Sequence, residues 1–265
     1  MEVHHHPDLH HEKKPWKEYI LEGLMIFLAV TMGFFAENLR ERISDNSREK
    51  EFAKALYSEL RADSIAAAQK LLTRQVKVKE MDRLRNYFQD SSLTVLPPDF
   101  YPMYTRALYL LNRYSFEPKD GILSQLRNSG SLRYFKSVAL QKLLGDLSVD
   151  INNMRYRNEQ EYQFFASPIK PFLLQHFDFG WLSQVRSKYP YSDVDSSFVA
   201  YFKAKDQLPV QILNAGTIDR GEAANMVSFY QQLIVSTNSF QLYHYIHTNK
   251  KILGVLRKEY KIEEE

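Results

Sequence analysis

Apolar positions along the chain recur at spacings of three, four and seven over long runs, the period of a helix with one buried face. The clearest run opens on an apolar stretch: Ile20 to Ala36 reads ILEGLMIFLAVTMGFFA, and Gly23 to Ala36 carries no charge. The pattern continues through Leu39, Ile43, Ala53, Leu56, Leu60, Ala67, Leu71, Val78, Met81 and Phe88. It predicts a long helix over residues 37–90, continuous with the apolar stretch. Pro97 and Pro98 stop it, because proline cannot continue a helix and restricts the residue before it. Residues 101–166 read as shorter helices. An amphipathic piece runs from Tyr101 to Tyr114, and a second from Ile122 to Asn128 ends at Ser129-Gly130-Ser131. A third, capped by Ser137, places Val138, Leu140, Leu143, Leu144, Leu147 and Ile151 on its apolar side. Residues 167–209 are aromatic and punctuated by proline, and are expected to be irregular. A final long helix over residues 219–262 carries Ala223, Met226, Tyr230, Leu233, Thr237, Phe240, Tyr243, Ile252 and Leu256. The expected fold class is all-α: one N-terminal transmembrane helix continuing into an elongated periplasmic helical bundle. That bundle is built from the first helix, the Ser137 helix and the last helix.

The apolar stretch has the length a bilayer requires. A hydrocarbon core about 30 Å thick takes roughly 20 helical residues, and Trp16 or Tyr19 at one interface and Phe35 at the other bracket about that number. An uncleaved or cleaved signal peptide is one competing reading, but no small-x-small site follows, and Glu37-Asn38-Leu39-Arg40-Glu41-Arg42 continues in helical register; a buried helix of a soluble protein is the other. Lys13, Lys14 and Lys17 precede the span, which places residues 1–19 in the cytoplasm and residues 37–265 in the periplasm of a bacterial inner membrane. Arg40 and Arg42 beyond it alternate with Glu37, Glu41 and Asp45.

At about 100° per residue, Glu22, Ile26, Ala29, Gly33 and Ala36 fall within roughly 40° of one line, while Leu24, Phe27, Leu28, Thr31, Phe34 and Phe35 point the other way. Small residues four apart let helices approach closely, and a carboxylate inside the bilayer faces protein, water or a cation. Glu22 therefore either snorkels to the headgroups near Lys14 and Lys17 or joins a helix-helix contact, with another membrane protein or a second copy.

Composition removes several alternatives. The 265 residues are 44% hydrophobic and 25% charged, with only 9 Gly and 10 Pro, which favours folded helices. The 35 basic and 32 acidic residues are interspersed, giving +3 and no basic stripe, so nucleic acid is not an expected partner. Without cysteine there is no disulfide framework and no thiol nucleophile. His4, His5, His6, His10 and His11 could bind Zn²⁺, Ni²⁺ or Cu²⁺ in almost any flexible arrangement, which makes them weak metal candidates and more simply a polar tail. His244 and His247 lack an acidic third ligand at helical spacing and read as packing or surface. The 17 Tyr and 17 Phe, dense in 101–114 and 172–202, could line a pocket or cover a partner, and at this density read mainly as core. No phosphate loop, nucleophile elbow or metalloprotease helix is present.

A resemblance is carried by Leu21-Glu22-Gly23-Leu24-Met25-Ile26-Phe27 and Gly33-Phe34-Phe35-Ala36-Glu37-Asn38, with Glu49-Lys50-Glu51-Phe52 and Leu60-Arg61-Ala62-Asp63. A further match is Leu126-Arg127-Asn128-Ser129-Gly130-Ser131-Leu132-Arg133 before a Leu-rich helix. Over roughly residues 17–165 the chain resembles single-pass inner-membrane proteins of Bacteroidota with a domain of unknown function. The resemblance implies membrane topology and organism class and supplies no activity. The expected function is non-enzymatic and free of cofactors: an accessory or scaffolding subunit of an envelope complex. A periplasmic small-molecule sensor that signals through a membrane partner is the alternative.

Overall fold

The computed structural model describes residues 15–110, 114–204 and 208–263, and the chain divides into two units, residues 1–51 and 52–265. No strand occurs among the described residues. One helix, α1 (Trp16–Asp90), provides the helical structure of the described residues of the first unit and the first helix of the second. The apolar stretch runs into the remainder of α1 without a break, as the unbroken register implies. The described side chains of the first unit are exposed almost throughout; Phe27 and Phe35 are 65% and 71% accessible. Leu39 and Ile43 keep the apolar period but are exposed, and burial along α1 starts at Ala53.

The second unit continues with α2 (Phe100–Tyr104) and a π turn, Thr105–Tyr109, closed by the Leu110 amide donating to the Thr105 carbonyl at 3.1 Å. Helix α3 is Gly121–Asn128, and Gly130 ends it at φ 68°, a left-handed conformation that glycine adopts without a Cβ clash. Helix α4 (Val138–Phe164) passes through a second π turn, Phe165–Ile169, into α5 (Lys170–His176). Then come α6 (Phe179–Lys188), α7 (Val194–Lys203) and α8 (Arg220–Thr237), and a third π turn, Asn238–Leu242, leads into α9 (Tyr243–Tyr260). Ser137 caps α4 as expected, its hydroxyl accepting from the Leu140 amide at 3.3 Å. Ser137→Ala should therefore lower the stability of the full-length protein by about 1 kcal/mol in urea unfolding followed by circular dichroism.

Two cores fill this unit. Ala53, Leu56, Leu60 and Ala67 of α1 pack with Leu140, Leu144, Leu147 and Ile151 of α4 and with Leu242, Tyr245, Ile252 and Leu256 at the end of the chain. This is the expected association of first, Ser137 and last helices. Val138, expected on the apolar side of α4, is exposed instead, because it begins the helix before its first turn meets the core. The second core joins Met81, Leu84 and Phe88 to α2, to Leu173, Trp181, Phe198 and Tyr201, and to Val227, Tyr230 and Ile234 of α8.

Residues 167–209 differ from the irregular expectation, since α5, α6 and α7 occupy most of them. Each is short and begins at a signal easily read as loop chemistry. Pro171 sits in the first turn of α5, Asp178 accepts from the Trp181 amide at 3.0 Å to start α6, and Asp193 accepts from the Ser196 amide at 2.9 Å to start α7. Phe177, Trp181, Phe198 and Tyr201 of this stretch are core, while Tyr191 and Phe202 are exposed; Tyr101 stacks on Trp181 at 4.7 Å, and its hydroxyl accepts from the Asp178 amide at 2.7 Å.

The last helix also departs from its expected face. Continuing the 3–4 period past Thr237 puts Phe240 and Tyr243 on the apolar side, yet both are exposed. The π turn inserts one extra residue there, so the buried series after Thr237 resumes at Leu242 and runs Tyr245, Asn249, Ile252 and Leu256.

Candidate functional site

Three features of the molecule could carry function. The first is the candidate partner face. Glu22, Ile26, Ala29, Gly33 and Ala36 lie on α1 at helical spacing and are exposed. A Cβ at Gly33 would meet nothing within 4 Å. The face is thus exposed. By length and composition α1 is the one helix among the described residues apolar enough to cross a membrane, and its apolar window is 0% buried. Contiguous apolar surface of this extent commonly marks a site of contact with a membrane or another protein.

The second feature is one that the sequence did not single out. Between the two cores, α1 carries Arg74 and Lys77, both wholly buried. Arg74 satisfies all five of its donors. Nη1 and Nη2 grip the Glu161 carboxylate of α4 at 3.1 and 2.6 Å, and the remaining hydrogens reach the Tyr114 carbonyl at 2.8 Å and the Ile234 carbonyl at 3.4 Å. Nε donates to the Asn238 side-chain oxygen. The Thr237 hydroxyl donates to Glu161 at 2.7 Å. A bidentate pair with every donor placed is the arrangement that makes a buried ion pair tolerable. Two of its partners are supplied where α8 meets the third π turn.

Lys77 has no carboxylate of its own. Its Nζ lies 4.6 Å from the ring centres of both Tyr114 and Tyr230 and donates to the Tyr230 hydroxyl at 3.3 Å. Burial pushes its pKa down from the ordinary value near 10.5 to about 7; the Glu161 charge opposes that shift and Arg74 adds to it. An amine of this kind could act as a nucleophile or base if a reactant reached it, but Lys77 has no exposed surface. Its consequences are for stability.

A third feature, a buried acid, ties α1 to α3. Asp63 accepts from the Lys119 amide at 2.6 Å and from the Tyr245 hydroxyl at 2.8 Å. One turn earlier, Glu59 accepts from the Ile122 amide at 3.1 Å, acting as a cap from another helix; a Cβ on Gly121 would stand 3.1 Å from its carboxylate. Burial, despite these amide bonds, raises the Glu59 pKa. The sequence held a signal for these residues. On α1 the series Leu60, Asp63, Ala67, Arg74, Lys77, Met81, Leu84, Phe88 keeps core spacing, so its charged members occupy buried positions and require partners.

His4, His5, His6, His10 and His11 lie outside the described residues. Among the described residues no group of three His, Asp or Glu side chains is placed to hold a metal ion. His244 and His247 are exposed, and His247 stacks on Tyr243 at 6.1 Å.

Fold and site define an all-helical protein with one long, exposed apolar N-terminal helix and a helical unit locked by buried charge. Comparison with protein families, characterised proteins and solved structures returned no match to the chain.

Proposed function

We propose that the protein is a non-enzymatic, membrane-anchored accessory or scaffolding subunit of a bacterial envelope complex. The observation that carries this reading is the apolar window of α1, none of which is buried among the described residues. A bilayer would cover it. In this reading residues 20–36 span the inner membrane with residues 1–19 in the cytoplasm, and residues 37–265 stand in the periplasm. The face of Glu22, Ile26, Ala29, Gly33 and Ala36 meets a helix of another membrane protein or of a second copy. The interior of the helical unit supports a structural role, because Arg74, Glu161 and Asp63 are engaged with neighbouring side chains and backbone.

Gly33 tests the reading with little ambiguity, since a side chain there meets open space within the chain itself. Gly33→Leu should insert normally and keep the span apolar while separating the two helix backbones, weakening association by about 1–3 kcal/mol. Phe27→Leu, on the opposite face, should be nearly silent. Co-purification of partners, or self-association, is measured from native membranes for both variants at equal expression. Equal recovery of partners would show that the small face meets only lipid, and recovery of the wild-type protein in the soluble fraction would remove the anchor itself.

The alternative, a small-molecule sensor signalling through a membrane partner, is favoured by one separate feature: a pocket in the helical unit that contains a buried histidine.

A further inference from the structure

The C-terminus of α5 is strapped by the segment that leads into α8. The Leu213 amide donates to the His176 carbonyl at 3.1 Å, and the Asn214 side-chain amide donates to the Gln175 carbonyl at 3.1 Å, so two carbonyls at the end of α5 are satisfied by this strap. The strap makes a third contact through a side chain. His176 Nδ1 stands 2.9 Å from the Leu213 carbonyl oxygen. A carbonyl can only accept, so Nδ1 carries a proton, and in the neutral ring Nε2 is left as an acceptor. His176 is 4% exposed, one face of its ring lies 4.8 Å from Phe172, and Nε2 has no partner among the described residues. Nε2 is not among the enclosed unpartnered polar atoms, so it keeps contact with solvent and is open to a donor from outside the chain.

It has room to be met. His176 lines a pocket of about 340 Å³, in the range of small-molecule sites, formed with Phe172, Thr217, Asp219, Glu222 and Met226. Two carboxylates stand at the start of α8. Asp219 uses one oxygen to accept from the Glu222 amide at 2.8 Å, capping the helix. The Glu222 carboxylate has no hydrogen bond or ion pair among the described residues and returns none to the cap. The nearest basic residue in sequence is directed elsewhere: Arg220 donates to the carbonyls of Phe88 and Ser91 at 3.0 and 2.7 Å. The Thr217 hydroxyl is likewise engaged, donating to the Asn214 carbonyl at 2.9 Å.

The pocket therefore offers an imidazole acceptor and two carboxylates against an apolar wall of Phe172 and Met226, with no cationic side chain lining it. A ligand that fits must supply donors and positive charge at one end and apolar surface at the other. We propose that this pocket binds a small organic amine in its ammonium form, with an N–H donated to His176 Nε2, the charge facing Glu222 and Asp219, and the hydrocarbon part against Phe172 and Met226. The proposal does not depend on whether the protein is a scaffold or a sensor.

Calorimetric titration of the full-length protein in lipid nanodiscs near neutral pH tests it with three probes of one shape: 2-phenylethylamine, 2-phenylethanol and 3-phenylpropanoate. The amine should bind saturably at one site, the alcohol at least about 10-fold more weakly, and the carboxylate not at all. His176→Asn keeps an amide N–H for the Leu213 carbonyl and removes Nε2; it should weaken amine binding about 10-fold or more. Glu222→Gln, at an exposed position, should weaken it several-fold without altering the thermal midpoint, and decides alone if His176→Asn fails to fold. No saturable binding of the amine, equal affinity for all three probes, or amine affinity unchanged by the substitutions would overturn the proposal. In that outcome His176 is a packed residue whose Nε2 is met by water only.

Discussion

Replacing Arg74 by Met should destabilise the helical unit by about 3–5 kcal/mol, the largest effect expected of a single substitution in this protein. The loss is not the value of the ion pair. It arises because Glu161, itself almost wholly buried, would keep its charge with the Thr237 hydroxyl as its remaining side-chain hydrogen bond, while the carbonyls of Tyr114 and Ile234 would lose their donor. The companion replacement Glu161→Leu strands the guanidinium in the same way and should cost a similar amount. Placed together, Arg74→Met and Glu161→Leu remove both charges at nearly constant volume, and the double variant should recover most of the loss. Urea unfolding of the four proteins, read by circular dichroism, closes the cycle. Additive losses in the double variant would mean that the two side chains stabilise the fold through separate contacts and not as a pair.

Lys77 should make the protein more stable as the solution becomes more alkaline, whereas a surface lysine with an unshifted pKa leaves stability unchanged. Its pKa in the folded protein, about 7, lies below the ordinary value near 10.5 that it regains on unfolding. Between those two values the unfolded chain binds the extra proton. Stability therefore rises with pH across the window and is lost as pH falls towards 7. The expected gain between pH 7 and 9 is about 2 kcal/mol. Lys77→Met, which keeps the length of the side chain and has no proton to exchange, should abolish this slope. The slope should be read as the difference between wild-type and variant unfolding free energies over that range, so that groups titrating elsewhere cancel. A wild-type slope unchanged by Lys77→Met would place the responsible proton on another group. The buried tyrosines act above this window: Tyr230 and Tyr245 are held protonated by burial, so at still higher pH their contribution turns against the folded state.

Much of the architecture was legible along the chain because helices announce themselves locally. The apolar stretch at Ile20 to Ala36, the period that carries α1 onward, the Ser137 cap and the start of the last helix at Asp219 are each settled by a residue and its neighbours within a turn or two. The departures have physical reasons of the same scale. The short helices in residues 167–209 carry Pro171, Asp178 and Asp193 at or near their starts, residue types that serve turns equally well, and they are held in the core that also contains Tyr101 and Tyr104. The π turn at Asn238–Leu242 shifts the buried face by one residue, and no composition marks it.

What only the tertiary structure decided is how the polar residues at core spacing are used. The positions of Asp63, Arg74 and Lys77 on α1 result from the helical period. Their partners do not, because Glu161, Asn238, Tyr230 and Tyr245 come from helices far along the chain and meet α1 only when those helices are packed. The same holds for His176, whose tautomer is set by a carbonyl 37 positions away. A period in the sequence reports which face of a helix is turned inward, since that depends on 3.6 residues per turn. Which groups satisfy a charge once it is inside depends on contacts between elements, and these exist only in the folded unit.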